Sequence, residues 1–164
     1  ALVALHAAEE QRSSRLPEGV ETTAALQSVA QTIADLQFDD GSWAFEAEKQ
    51  IGSPIGYGRP LMTVIARDLL VVTDSERYGA EIQLADSWLR HSEPVTVLDS
   101  AAVLMGLAEA DDELALTIIK RFLATIREGQ HQRGGWGPLV ISRPEQFDTA
   151  IVLLALIRLP HSPR

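Results

Sequence analysis

The strongest constraint on this chain is an alternation between two kinds of apolar periodicity. Residues 20–36 place Leu26, Val29, Ala30, Ile33 and Leu36 on one helical stripe, with Thr22, Gln27, Gln31 and Asp35 opposite. That is the pattern of a helix with one face on a core. Residues 60–73 are apolar nearly all round, interrupted by Arg67 and Asp68. The alternation then repeats. Residues 79–91 are amphipathic through Ile82, Ala85, Trp88 and Leu89, and residues 95–108 are apolar all round. Residues 112–128 are amphipathic through Ala115, Ile118, Ile119, Phe122 and Ile126, and residues 145–158 are again almost wholly apolar. A helix that is apolar on every side must be covered on every side, and amphipathic helices can cover it. With no strand pattern of useful length, the reading is all-α: a layered ring or solenoid of helix pairs.

Punctuation supports these segments. Pro60, Pro94 and Pro144 stand at the starts of the three apolar helices, where a missing N–H costs least. Gly129 follows the fifth segment as a C-terminal stop. Internal repeats agree with the alternation. "FDTAIVLLAL" (147–156) matches "LDSAAVLMGL" (98–107) in character position by position, and "RPLMTVIARDLL" (59–70) is a weaker third copy. "ALVALHAA" (1–8) reads as the tail of a fourth apolar helix, which brings the expected count to about seven. At 164 residues the whole chain, 1–164, is most simply one domain.

Charge and composition exclude several function classes. The net charge is −9 with no run of Lys or Arg, which argues against nucleic acid or an anionic membrane surface as partner. There is no cysteine, so disulfides, thiolate metal sites and Cys nucleophiles are out. His6, His91, His131 and His161 are scattered without metal-ligand spacing, and neither a metal nor a cofactor is implied. No apolar run reaches the roughly 18 residues of a spanning helix, and no signal peptide is visible, which points to the cytoplasm.

Two short phrases share one template. "QFDDGSW" (37–43) and "QHQRGGW" (130–136) each read Gln, three residues, Gly, one small residue, Trp, and use two of the three tryptophans in the chain. Each follows an amphipathic segment and precedes an apolar one. The phrase resembles the QW repeat of squalene–hopene and oxidosqualene cyclases, whose fold is shared by class II diterpene cyclases and protein prenyltransferase β subunits. Gln37, Gly41 and Trp43 fit one copy and Gln130, Gly134 and Trp136 the other. "WLRHSEP" (88–94), between them, lacks the motif. The resemblance implies an α/α toroid of alternating inner and outer helices. It also implies a structural role for the phrase, the Gln amide bonding to backbone at a neighbouring helix end and the indole packing over it. Physical chemistry points the same way. Helix ends leave unbonded groups that an amide can satisfy, an indole offers buried area plus one donor, and glycine tolerates unusual backbone angles. Asp39 and Asp40 are replaced by Gln132 and Arg133 in the second copy, so that pair is not part of the template.

The resemblance also implies a reaction, isoprenoid cyclisation begun by a protonated Asp in an Asp-x-Asp-Asp-Thr-Ala motif, acting on an apolar polyprenyl ligand. The nearest match is Glu145-Gln146-Phe147-Asp148-Thr149-Ala150, with Phe147 where the central acid belongs. Asp99 of "TVLDSA" occupies the Asp148-like position. Asp148 and Asp99 are the candidate catalytic carboxyls, through a pKa raised by burial, although first-turn aspartates also serve a helix N-terminus. Tyr57 and Phe147 are the aromatics left to line a ligand space. Arg59 and Arg143, each before a Pro at an apolar-helix start, could bind a diphosphate or carboxylate, or simply pair with nearby acids. The zinc chemistry of the prenyltransferases needs a Cys that this chain lacks. Seven helices would form an open arc, part of a barrel, with apolar surface at each end. The expectation is therefore a segment of a larger toroid, or a protomer that self-associates. The same fold without the acid would serve as a binding or scaffold module.

Overall fold

The computed structural model describes residues 20–44 and 58–159, in which six helices and no strands occur. They are α1 (Val20–Asp35), α2 (Arg59–Asp74), α3 (Gly79–His91), α4 (Val97–Gly106), α5 (Glu113–Glu128) and α6 (Gln146–Arg158). The expected helix at 1–8 and Tyr57 lie outside the described residues.

Local chemistry sets the helix starts. Pro60 occupies the first turn of α2. The Thr96 hydroxyl accepts from the Asp99 N–H at 2.9 Å to cap α4, and the Asp112 carboxylate accepts from Ala115 N–H at 2.9 Å to cap α5, each satisfying a donor that the first turn leaves open. Gly129 ends α5 with a φ of −77°, so it is not there for left-handed backbone. A Cβ at Gly129 would lie 2.7 Å from Val97 Cγ2, and close approach of the α5 terminus to α4 explains the residue instead.

Helices α2, α4 and α6 form a central layer in which α4 touches both of the others. Around it, α1 and α3 pack on α2, while α5 packs on α4. Val97, Leu98 and residues 100–105 of α4 are all buried, as an all-round apolar helix requires. The other two central helices depart from that expectation. On α2, Ile65 and Val72 face solvent, and on α6 so do Leu153, Leu154 and Ile157. The physical reason is position: among the described residues, α2 and α6 each pack on one other central helix, α4. The core has two main parts. Val64, Leu89, Leu104, Phe122, Ile126, Trp136 and Val152 belong to the larger, centred on α4. Ala30, Trp43, Ala66, Leu70, Tyr78 and Ala85 form the smaller, between α1, α2 and α3. No helix among the described residues is long and apolar enough to cross a membrane.

Candidate functional site

The two Gln–Gly–Trp phrases fold into the same turn and join the same kinds of element. In the first, Gly41 N–H donates to Phe38 O at 2.8 Å and Phe38 N–H to Ser42 O at 2.9 Å. In the second, Gly134 N–H donates to His131 O at 2.8 Å and His131 N–H to Gly135 O at 3.1 Å. Gly41 and Gly134 have φ of 90° and 84°, backbone that a side chain would strain. Both tryptophans are buried. Trp43 Nε1–H donates to Ile33 O in the last turn of α1 at 2.7 Å, and Trp136 Nε1–H to Ile126 O in the last turn of α5, also at 2.7 Å. Those carbonyls belong to the orphan set at a helix C-terminus. The backbone N–H of Trp43 donates to Thr63 Oγ1 of α2 at 3.1 Å, and that of Trp136 to Thr149 Oγ1 of α6 at 2.9 Å. Each phrase therefore clamps the end of an amphipathic helix to the start of the central helix that follows.

Thr63 and Thr149 are the site residues that motif reading missed. A signal existed: the three central-helix repeats carry Thr63, Ser100 and Thr149 at one register position. The middle copy acts as a control. It has no Trp phrase, and Ser100 Oγ instead donates within its own helix, to Thr96 O at 2.8 Å.

The clamps differ in what lies beyond them. Gln37 Nε2 donates to Gly41 O and to Glu81 O of α3, both at 2.9 Å, so the first clamp also holds the next amphipathic helix. A Cβ at Gly41 would lie 2.4 Å from Leu84 O. In the second clamp Gln130 is exposed and nothing lies within 4 Å of a Cβ on Gly134.

Arg59 is not a free anion-binding group. Its guanidinium bonds Asp40 Oδ2 at 2.9 Å and the Ser42 hydroxyl, and lies over the rings of Phe38 (5.3 Å) and Trp88 (5.5 Å). Arg59, expected to bind an anion, ties the start of α2 to Asp40 of the first clamp and to the Trp88 ring of α3. Asp40, with its carboxylate bonded to the Ser42 hydroxyl and backbone N–H and paired with Arg59, is held below the usual carboxylate range against a smaller opposing effect of burial. Arg143 is exposed, in an open cleft of about 650 Å³ with His131, Gln132, Arg133 and Pro144. On the other side of Pro144 an open shelf of about 470 Å³ is lined by Glu145, Gln146, Thr149, Ala150 and Leu153. Phe147, in the first turn of α6, is 40 % exposed.

The two candidate carboxyls sit at equivalent places, in the first turns of α4 and α6. Burial pushes the Asp99 carboxyl up, partly offset by the Thr96 hydroxyl. Its Oδ1 packs against the residue preceding α2, within 2.0 Å of where a Cβ on Gly58 would lie. Asp148 is buried; burial raises its pKa, the charge of Glu145 adds to the rise, and its own backbone N–H opposes it. A carboxyl raised in the folded state means that the native protein binds more protons than the unfolded chain between the ordinary value near 3.8 and the folded one. Stability then falls as pH rises through that window. Asp148→Asn is therefore expected to be more stable than the parent at pH 7, with the advantage shrinking as the pH approaches 3. Urea unfolding across that range checks it, and equal stabilities at pH 7 would contradict it. No cluster of three or more His, Asp or Glu side chains suited to a metal occurs among the described residues.

Comparison with protein-family models, with curated proteins and with solved structures finds no match to this chain.

Proposed function

We propose that this chain is a segment of an isoprenoid-cyclase-type α/α toroid, and that it binds an apolar polyprenyl ligand rather than protonating one. The observation that carries this reading is the duplicated clamp. Two Gln–Gly–Trp turns present the same indole-to-carbonyl and backbone-to-threonine bonds at the first and third amphipathic-to-central junctions. The QW resemblance implies a helix-joining phrase whose Gln amide bonds backbone at a neighbouring helix end; Gln37 makes such a bond to Glu81 O, whereas Gln130 is exposed. Binding is favoured over protonation because Phe147 stands where the acid of such cyclases belongs, while Asp148 and Asp99 are single first-turn carboxyls. Arg143, with Arg133 in the same cleft adjoining the α6 shelf, offers a cation to an anionic headgroup.

The test has two readouts on the same protein. Intrinsic tryptophan fluorescence titrated with farnesol and with farnesyl diphosphate should show saturable binding, tighter for the diphosphate in proportion to Arg143 and weakened toward the alcohol's affinity in Arg143→Ala. Incubation with squalene or geranylgeranyl diphosphate, followed by gas chromatography, should yield no cyclised hydrocarbon. Absence of saturable binding by either ligand would sink the ligand reading and favour a pure scaffold. A cyclised product lost in Asp148→Asn would show that this carboxyl acts as an acid after all.

A further inference from the structure

The two clamps share a backbone turn but carry opposite charges at one place. Aligned on their Gln, Gly and Trp, Asp40 of the first clamp matches Arg133 of the second, and Ser42 matches Gly135. Aligned on Thr63 and Thr149, Arg59 matches Glu145. The first clamp closes its charge internally. Asp40 Oδ2 accepts from Arg59 at 2.9 Å, and Asp40 Oδ1 accepts from the Ser42 hydroxyl at 2.7 Å. A charge-reversed copy of that arrangement would pair Arg133 with Glu145, and this pair does not form. Arg133 lines the cleft, whereas Glu145 lines the shelf across Pro144. Pro144 borders both spaces and packs against the turn, 3.1 Å from a Cβ built on Gly135.

The cleft gathers basic groups and no acid. Its lining is His131, Gln132, Arg133, Arg143 and Pro144, all within the described residues. Elsewhere Arg59, Arg67, Arg90, Arg121 and Arg158 each pair with an Asp or Glu. Arg133 and Arg143 pair with none among the described residues, in a chain where 23 Asp and Glu outnumber 14 Lys and Arg. Two like charges brought to one cleft repel each other, and an external anion reverses the sign of that interaction. His131 adds an oriented donor. Its Nδ1 accepts from the Arg133 backbone N–H at 3.1 Å, so the ring proton of the neutral imidazole sits on Nε2.

We propose that the second clamp binds the phosphate group of a phosphorylated ligand in this cleft. Arg133 and Arg143 are its two guanidinium forks, and His131 is a third donor. The anion supplies to Arg133 the counter-charge that Arg59 supplies to Asp40 in the first clamp. A carboxylate presents two oxygens in one plane, which a single guanidinium satisfies. A phosphate presents three acceptor oxygens, so it can meet two forks and an imidazole from different directions. The cleft, about 650 Å³, exceeds one phosphate, so the ligand carries further groups. This inference gives chemistry to the headgroup of the ligand reading without resting on it, because the comparison of the clamps involves no apolar chain.

Calorimetric titration of the full chain with sodium pyrophosphate tests it. At physiological ionic strength the field of the net charge of −9 is screened beyond about 8 Å, so nearby groups decide the outcome. One pyrophosphate should bind per chain, inorganic phosphate should bind more weakly, and acetate should not bind. Arg133→Ala and Arg143→Ala are at exposed positions and should keep the parent's helical circular dichroism. Each should weaken pyrophosphate binding by about tenfold or more, the scale of one lost charge-assisted hydrogen bond. Arg127→Ala removes the same charge from an exposed position in the last turn of α5, outside the cleft, and should leave binding unchanged. Absence of saturable pyrophosphate binding, acetate binding as tightly, or an equal loss in Arg127→Ala would each overturn the proposal. Farnesol binding without pyrophosphate binding would overturn it while leaving the ligand reading standing; pyrophosphate binding without farnesol binding would do the reverse.

Discussion

Trp136→Ala is expected to destabilise the protein by about 3–5 kcal/mol, the range for truncating a large buried aromatic. The ring is buried with Phe122, Ile126, Leu104 and Val152, so its loss opens a cavity where α4, α5 and α6 meet. Trp136→Phe separates packing from hydrogen bonding. Phenylalanine keeps much of the apolar area but leaves Ile126 O without the indole donor it has at 2.7 Å. An unsatisfied buried carbonyl costs about 1–3 kcal/mol. The first clamp provides the comparison. Ile33 O also accepts from Leu36 N–H at 3.1 Å, so Trp43→Phe should cost less than Trp136→Phe. Urea denaturation of the three variants reads all of this, and equal costs for the two phenylalanine variants would show that the indole bonds contribute little.

The second large effect distinguishes two glycines that look identical in the sequence. Gly41→Ala meets two obstacles. Its φ of 90° strains any side chain by about 1–3 kcal/mol. The new Cβ would also lie 2.4 Å from Leu84 O, and a backbone carbonyl cannot rotate away as a side chain can, so overpacking adds about 1–3 kcal/mol. Gly134→Ala, at φ 84° with nothing within 4 Å, meets only the first. The two substitutions measured side by side should differ, with Gly41→Ala the more damaging. Equal effects would mean that α3 does not press on the first clamp as described.

Much of the architecture is legible because periodicity is a local property. The segments read at 20–36, 79–91 and 112–128 coincide within a residue with α1, α3 and α5. The two phrases were also legible as helix-joining turns, since glycine and tryptophan in that order leave few other uses for the indole. Partners were harder to see. Nothing in "RPLMT" says that the Thr63 hydroxyl will meet Trp43 N–H twenty residues back, because that bond needs the intervening chain to return. Arg59 reads as a candidate anion ligand because it precedes a Pro at an apolar-helix start; the carboxylate that pairs with it, on Asp40, comes from the preceding clamp. Arg59 and Arg143 share an Arg-Pro sequence but not a register, the first lying four residues before its threonine and the second six. All-round apolarity shows that a helix face wants cover without saying what supplies it, which is why α4 met the expectation and α6 did not.

The central claim is that both phrases form one kind of clamp, tying an amphipathic helix end to the central helix that follows. Hydrogen exchange at the three indole N–H groups, resolved in a nitrogen-15 spectrum, tests it most directly. Trp43 and Trp136 are buried and bonded to helix carbonyls, whereas Trp88 is half-buried and its indole N–H has no partner among the described residues. The expected result is fast exchange at Trp88 and strong protection at the other two, with exchange there requiring the clamp to open. Exchange at Trp43 or Trp136 as fast as at Trp88 would contradict the clamp.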